Sequence, residues 1–230
     1  MSSDMGHSGK FSEQRIQGIG RTSVRTRQRL IDRLRREGIR NEAVLEVMLN
    51  TPRHLFVGGG LEHRAYDNTP LPIGSEQTIS QPYIVALMTE LLLDDRECLD
   101  KILEIGTGCG YQSAILSQFA KRVYSVERIR TLQFEARRIL KQLGCKNIAF
   151  MNGDGFNGWT THQPYDGIIV TAAPREIPEN LLKQLALGGR LVIPVGDAEQ
   201  TLRIVTRTRT GFHEATHIAV RFVPMLQGRA

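Results

Sequence analysis

The chain has 230 residues, 40% of them hydrophobic and 23% charged, with a formal net charge of +6. That length and balance fit a single soluble globular domain, large enough to cover both faces of a sheet with helices, and they exclude a disordered or fibrous chain. No apolar run approaches the ~20 residues that span a bilayer, and no apolar leader stands at the start. Cys98, Cys109 and Cys145 are too irregularly spaced for a disulfide framework or a zinc site. A reducing cytoplasm is the expected setting, with no membrane partner.

The charge is localised. Residues 1–40 hold ten Lys/Arg against four Asp/Glu, and the other 190 hold 20 of each. A basic arm is one footprint of a nucleic-acid binder. Phe11 is the only aromatic residue in those forty, however, so base stacking has no support. An arginine-rich solvated helix face accounts for the charge, and nucleic acid is not an expected partner. Residues 1–20, rich in Gly, Ser and polar groups, read as a disordered basic extension, and 21–230 as one domain.

Leu30 and Leu34 mark a helix that runs from Thr26 and ends at Gly38. Asn41 caps a second helix carrying Val44, Leu45, Val47, Met48 and Leu49, which stops before Pro52. Residues 53–75, with Gly58-Gly59-Gly60, Pro70 and Pro72, read as a long loop, a length usually tied to function. A helix from Tyr83 to about Leu93 follows.

Next comes the most informative stretch. Lys101-Ile102-Leu103-Glu104-Ile105 reads as a strand, Gly106, Gly108 and Gly110 as a tight turn, and the apolar run 115–120 as helix. This is the opening unit of a doubly wound sheet. A dinucleotide site spaces its glycines G-x-G-x-x-G and favours a pyrophosphate. Here Glu104 stands two residues before the first glycine. Its charge would oppose a pyrophosphate and suit a cationic ligand, such as the amino group of a methionine moiety. A second strand, 121–127, ends in Glu127, placed to hold a ribose diol. A third, 147–152, runs into Gly153-Asp154-Gly155, where Asp154 can accept from an adenine amino group. The Glu-x-Gly-x-Gly-x-Gly pattern resembles the first motif of S-adenosylmethionine-dependent methyltransferases.

The remaining elements extend the sheet. Tyr165 to Thr171 is a buried fourth strand. A helix from Ile177 carries Leu181, Leu182 and Leu185 and ends at Gly188-Gly189, and Arg190 to Pro194 is a fifth strand. Residues 201–208 and 217–223 alternate as two more. The expected fold is α/β: a doubly wound, mostly parallel seven-stranded sheet with flanking helices, Rossmann-like, with the order of the last strands left open. His213 and His217 have a helical metal spacing but fall at a turn and a strand start, so no metal is expected. Trp159 is expected near the adenine edge or the hinge after Asp154.

Gln77-Thr78-Ile79-Ser80-Gln81-Pro82, preceded by Leu71-Pro72-Ile73-Gly74, is similar to the signature of the protein-L-isoaspartate O-methyltransferase family. Val126-Glu127-Arg128, Ala172-Ala173-Pro174, Pro194-Val195-Gly196 and Arg221-Phe222-Val223-Pro224 continue the resemblance, which covers about residue 25 to the last. It implies a class I methyltransferase using S-adenosyl-L-methionine, acting on isoaspartyl (or D-aspartyl) residues of damaged proteins and peptides. It implies cofactor contacts from Thr78, Ser80, Glu104, Gly106, Gly108, Cys109, Gly110, Glu127, Arg128, Asp154 and Gly155. It implies substrate contacts from Thr78, Ile79, Ser80, Arg221, Phe222 and Val223, with Ser80 as the catalytic residue. Ser80 would position an already ionised carboxylate. No Gly-x-Ser-x-Gly elbow surrounds it, so it is not read as a nucleophile. The alternative is an RNA or small-molecule methyltransferase. Thr171-Ala172-Ala173-Pro174 stands where a base methyltransferase would carry an Asn-Pro-Pro-Tyr-like motif.

Overall fold

The computed structural model describes residues 10–230. Its sheet is built from β3 (Leu99–Ile105), β4 (Ala120–Glu127), β5 (Ile148–Asn152), β6 (Tyr165–Val170), β7 (Leu185–Gly196), β8 (Gln200–Thr208) and β9 (Gly211–Val220). A separate two-stranded hairpin pairs β1 (Leu71–Gly74) with β2 (Gln77–Ile79). The helices are α1 (Glu13–Gln17), α2 (Val24–Arg36), α3 (Glu42–Asn50), α4 (Pro82–Leu93), α5 (Tyr111–Leu116), α6 (Arg130–Gln142) and α7 (Glu179–Lys183).

The sheet order is β5-β4-β3-β6-β7-β8-β9, parallel through β7 and antiparallel for β8 and β9. The expected mostly parallel seven-stranded sheet is therefore present, and its last three strands form a simple meander. From β3 the chain builds outward to β5, then crosses back so that β6 flanks β3 on its other side. A crevice opens at such a reversal, at the carboxyl ends of the strands.

The centres of β6 and β7 and most of the second half of β3 are apolar because both faces are covered. Ile102, Val123, Ile169 and Val192 point to the face packed by α2 through α6. Leu103, Ile105, Ile168, Val170, Leu191 and Ile193 point to the other, under Leu181 and Trp159. Helix α6, for which the sequence reading made no assignment, buries Leu132, Ala136, Ile139 and Leu140 at helical spacing. Asn41 does cap α3, its side chain accepting from the Val44 N–H at 3.1 Å.

Several boundaries differ from expectation. Helix α5 occupies 111–116 rather than 115–120: the Ser117 hydroxyl donates back to the Ala114 carbonyl, and the Phe119 carbonyl already accepts from Leu99 at the start of β3. Leu185 belongs to β7, not to the preceding helix; it pairs with Tyr165 and is fully buried. β9 begins at Gly211, so His213 and His217 both lie on one exposed strand. Residues 221–223 leave the sheet because the Gln200 side-chain amide takes the Phe222 N–H (2.6 Å) and donates to its carbonyl (3.1 Å). Trp159 packs edge-on to Tyr124, with ring centres 5.5 Å apart, away from the strand ends.

The expectation of disorder over 1–20 fails for its described part. Ser12 caps α1, and Phe11 packs against the core. The buried Arg27 guanidinium donates to the carbonyls of Ile16 and Gln17, and a His54 ring nitrogen meets the Arg15 carbonyl at 2.8 Å. Those carbonyls answer donors that burial would otherwise leave orphaned. Residues 1–9 lie outside the described residues. Nor is the stretch basic by itself: 1–20 holds two Lys/Arg and two Asp/Glu, and the excess arginine sits on α2.

Candidate active site

The glycine turn sits at the carboxyl end of β3, and its three glycines serve different purposes. A Cβ on Gly106 would collide with the Thr171 hydroxyl, which instead donates to the Gly106 carbonyl at 2.7 Å. A Cβ on Gly110 would stand 2.9 Å from Leu140 and 3.1 Å from Ala136, so this glycine lets α5 pack against α6. Gly108 lies under Ile73 of the β1–β2 hairpin. Gly106 and Gly108 line a cleft with Ile105, Val126, Glu127, Arg128, Ile129, Gly155 and Thr171. Gly110 and Cys109 do not line it, and burial pushes the Cys109 thiol up to about 11.

The three acids, equivalent on paper, differ in their surroundings. Glu127 ends β4 in the cleft wall. Its Oε2 accepts from the Gly108 N–H at 2.8 Å and its Oε1 from the Ile129 N–H at 2.9 Å. Asp154 caps the short 155–157 turn through the Phe156 N–H (2.9 Å), and its other oxygen accepts from Gly228 (2.8 Å). It stands behind the cleft wall rather than in it. Glu104 is fully buried beneath the turn. Its Oε2 accepts from Ser113 and, at 2.5 Å, from Ser125, while its Oε1 has no partner. Burial raises its pKa to about 7, against the two serine hydrogen bonds that lower it. The expected direct attraction of Glu104 for a ligand amino group therefore has no surface to act through.

A second cavity, of about 460 Å³, adjoins the cleft and is lined by Pro70, Thr78, Ser80, Gln81, Ile84, Thr171 and residues 219–223. Strand alternation in β2 explains its wall. Ile79 is buried in the core, so Thr78 and Ser80 on either side of it face outward. The segment expected to be a Thr78-Ile79-Ser80 turn is thus the end of a strand, and the turn itself is Ser75-Glu76, both at positive φ. Ile79 offers its side chain to the core rather than to a ligand. Thr78, Thr171 and Val223 border both cavities; Ser80, Arg221 and Phe222 border only the second. Over the cleft, Ala173 donates to the Val223 carbonyl and accepts from the Met225 N–H, each at 2.8 Å, which brings Pro224, Met225 and Leu226 into its wall.

The family model for protein-L-isoaspartate(D-aspartate) O-methyltransferase matches residues 25–230. The chain belongs to this family. A Pseudomonas aeruginosa protein-L-isoaspartate O-methyltransferase is 58% identical over 208 residues, 90% of this chain and 98% of the relative. One from Cellvibrio japonicus is 55% identical over 218 residues, 94% of this chain and 97% of the relative. A solved protein-L-isoaspartate O-methyltransferase superposes with a TM-score of 0.76 at 29% identity, over 86% of this chain and 65% of that one. A Plasmodium falciparum structure described as the same enzyme, in complex with S-adenosyl-L-homocysteine, gives 0.75 at 25% identity, over 87% of this chain and 98% of that one.

The methyl donor of this methyltransferase family is S-adenosyl-L-methionine. The cleft suits it on three counts: a turn with no side chain in the way, a carboxylate in the wall with lone pairs to spare, and apolar walls for a flat base. The wall residues Gln77, Ile129, Thr171, Met225 and Leu226 were not anticipated from the sequence. Gln77 and Thr171 had a signal, the first in the Gln77–Pro82 signature and the second in the Thr-Ala-Ala-Pro motif. No helix among the described residues is long and apolar enough to cross a membrane.

Proposed function

We propose that this methyltransferase moves the methyl group of S-adenosyl-L-methionine to the free carboxylate of L-isoaspartyl, and of D-aspartyl, residues in damaged proteins and peptides. The observation that carries the reading is the common wall of the two cavities at Thr78, Thr171 and Val223, with Ser80 on the acceptor side. Donor and acceptor meet there. The ester product then cyclises to a succinimide, because an alcohol leaves more readily than an oxide, and hydrolysis returns some normal aspartate. Three free cysteines fit a reducing cytoplasm as its setting.

Glu127 is the group we assign to the ribose diol, since each of its oxygens keeps a lone pair beyond the backbone N–H it already accepts. Gly155 flanks the adenine end with Asp154 behind it, shaping the 155–157 turn, and Gly106, Gly108 and Arg128 complete the cofactor wall. Glu104, Cys109 and Gly110 act from beneath, by shaping the turn.

S-adenosyl-L-methionine supplies an electrophilic methyl on a sulfonium. The acceptor carboxylate, with a pKa of ~4, is already ionised at neutral pH and needs no general base. One of its oxygens forms the new O–C bond as the S–C bond opens; the electron pair stays on sulfur and no proton moves. Positive and negative charge disappear together in this step. A strong cation at the acceptor would therefore hold the ground state more tightly than the transition state. Neutral hydroxyls avoid that cost. Ser80 and Thr78 orient the carboxylate, and the walls exclude water. The Phe222 main-chain groups are held by Gln200, so peptide recognition falls to the Arg221 and Val223 side of that segment.

Transfer of labelled methyl to an isoaspartyl peptide, beside the same peptide with a normal aspartyl residue, tests the reading. Label in the first and not in the second is the expected result. Equal labelling, or labelling of RNA in place of either, overturns it.

A further inference from the structure

Arg53 is fully buried, yet no carboxylate pairs with it among the described residues. Its guanidinium meets three other partners, while its buried Nη1 has no hydrogen-bond partner. Nε donates to the Ala65 carbonyl at 2.8 Å, and Nη2 donates to the Ser80 carbonyl at 2.8 Å. Its plane lies over the Tyr111 ring, with Cζ 4.8 Å from the ring centre. Tyr111 is the first residue of α5, directly after the glycine turn. Ala65 belongs to the long segment between α3 and the hairpin. One side chain thus ties together the loop, the acceptor wall and the cofactor turn.

A buried guanidinium without an ion pair is costly to keep. Its planar fork reaches two carbonyls and a ring face at once, which a lysine ammonium cannot reproduce. Alignment of donor and acceptor is the main work of this reaction, since the acceptor arrives ionised. A group that fixes Ser80 against the glycine turn fixes that alignment. The guanidinium meets Ser80 through that residue's backbone oxygen, and Arg53 is not among the residues that line the acceptor cavity.

We propose that Arg53 is a positioning residue for methyl transfer: by holding the Ser80 carbonyl while stacked on Tyr111, it sets the acceptor hydroxyl at a fixed distance from the cofactor turn. The inference rests on the reading of Ser80 as the residue that orients the acceptor carboxylate.

The test is a double-mutant cycle of Arg53→Lys and Ser80→Ala, with single-turnover rates on an isoaspartyl peptide and cofactor affinity by calorimetry. Arg53→Lys keeps the charge and loses the fork. We expect a rate loss approaching ~100-fold, the scale of a 1 Å misplacement. Cofactor Kd should stay within about threefold. In the Ser80→Ala background the same change should cost less than about threefold, because the group being positioned is gone; a merely structural arginine would cost the same in both. Full multiplication of the two losses, or a wild-type rate in Arg53→Lys, overturns this inference alone. A wild-type rate in Ser80→Ala overturns the Ser80 reading and this inference with it. If Arg53→Lys does not fold, the wild-type protein still decides. An Arg53 Nε–H resonance protected from solvent exchange, with hindered rotation of the guanidinium, is expected; fast exchange and free rotation overturn the clamp.

Discussion

The cleft proposed for the cofactor and the groove proposed for the acceptor share a wall, and they are built differently. The floor of the cleft lies on the ends of regular elements that follow one another in the chain, β3, the glycine turn, β4 and the turn after β5, while Gln77, Thr78, Thr171 and residues 223–226 close it from outside that unit. The groove is assembled from a three-residue strand and an irregular segment after β9, brought together from the two ends of the domain. The floor of the first is a property of a local supersecondary unit. The other exists only once the sheet has closed. The first should therefore respond to substitution through affinity, and the second through alignment and rate.

The largest expected effect falls on the groove. Ser80→Ala should slow single-turnover methylation of an isoaspartyl peptide by about 10- to 1,000-fold, between a net hydrogen bond and a lost preorganised donor. Cofactor affinity should change much less. Unchanged rates would mean that the two cavities do not divide the labour as their walls suggest.

Beneath the cleft, Glu104 should make stability depend on pH. Burial raises its folded pKa from 4.5 to about 7. The folded state then holds a proton that the unfolded chain has released, so the stabilisation is fully present below about pH 4.5 and is lost as pH rises through 7. Against Glu104→Gln, which cannot titrate, the cofactor-free wild type should lose of order 3 kcal/mol across that window. Urea unfolding of both proteins at several pH values measures the difference. Parallel curves would show that the carboxyl is solvated.

Glu127→Ala should weaken S-adenosylmethionine binding by about 1.5–3 kcal/mol, the range for hydrogen bonds to a charged group. Rate at saturating cofactor should suffer less than affinity, the reverse of Ser80→Ala. Calorimetry with matched kinetics checks it, and unchanged affinity would take Glu127 out of the cofactor wall.

The smallest effect is expected in a segment that lines neither cavity. Removing residues 1–20 strips the carbonyl partners from Arg27 and His54, which should cost about 1–2 kcal/mol of stability. Turnover on a short peptide should stay within about threefold. A large loss of turnover in a protein still folded by circular dichroism would join this segment to the active site.

The cleft was the part legible in the sequence, because its signals are local. Gly106, Gly108 and Gly110 between an apolar run and a helix announce a strand-turn-helix unit, and Glu127 follows at the end of the next strand. The Thr78 to Ser80 segment was recognisable by resemblance, yet its conformation was misread. Nothing local says that the turn falls at Ser75-Glu76, or that Ile79 points inward. Burial of Ile79 depends on the core that the hairpin covers. Residues 10–20 differ from expectation for the same reason: a stretch rich in Gly and Ser reads as disorder, and nothing local says that Arg27 and His54 bind the carbonyls of Arg15, Ile16 and Gln17.

By itself, then, the chain determined the periodicities, the glycine turn and the order of elements, since these follow from backbone sterics and from apolar spacing within a few residues. Only the tertiary structure decided which of three similar acids faces the cleft. Glu104 and Glu127 lie on the same face of the sheet, but Glu104 stands opposite Ser125, two residues short of the glycine turn and beneath α5, while Glu127 ends its strand in the wall. Only it decided that Gln200 bends residues 221–223 out of the sheet, and that Arg53 reaches from the loop to Ser80 and the face of Tyr111. Burial and hydrogen bonding act between groups far apart in sequence, so their outcome depends on closure of the whole sheet.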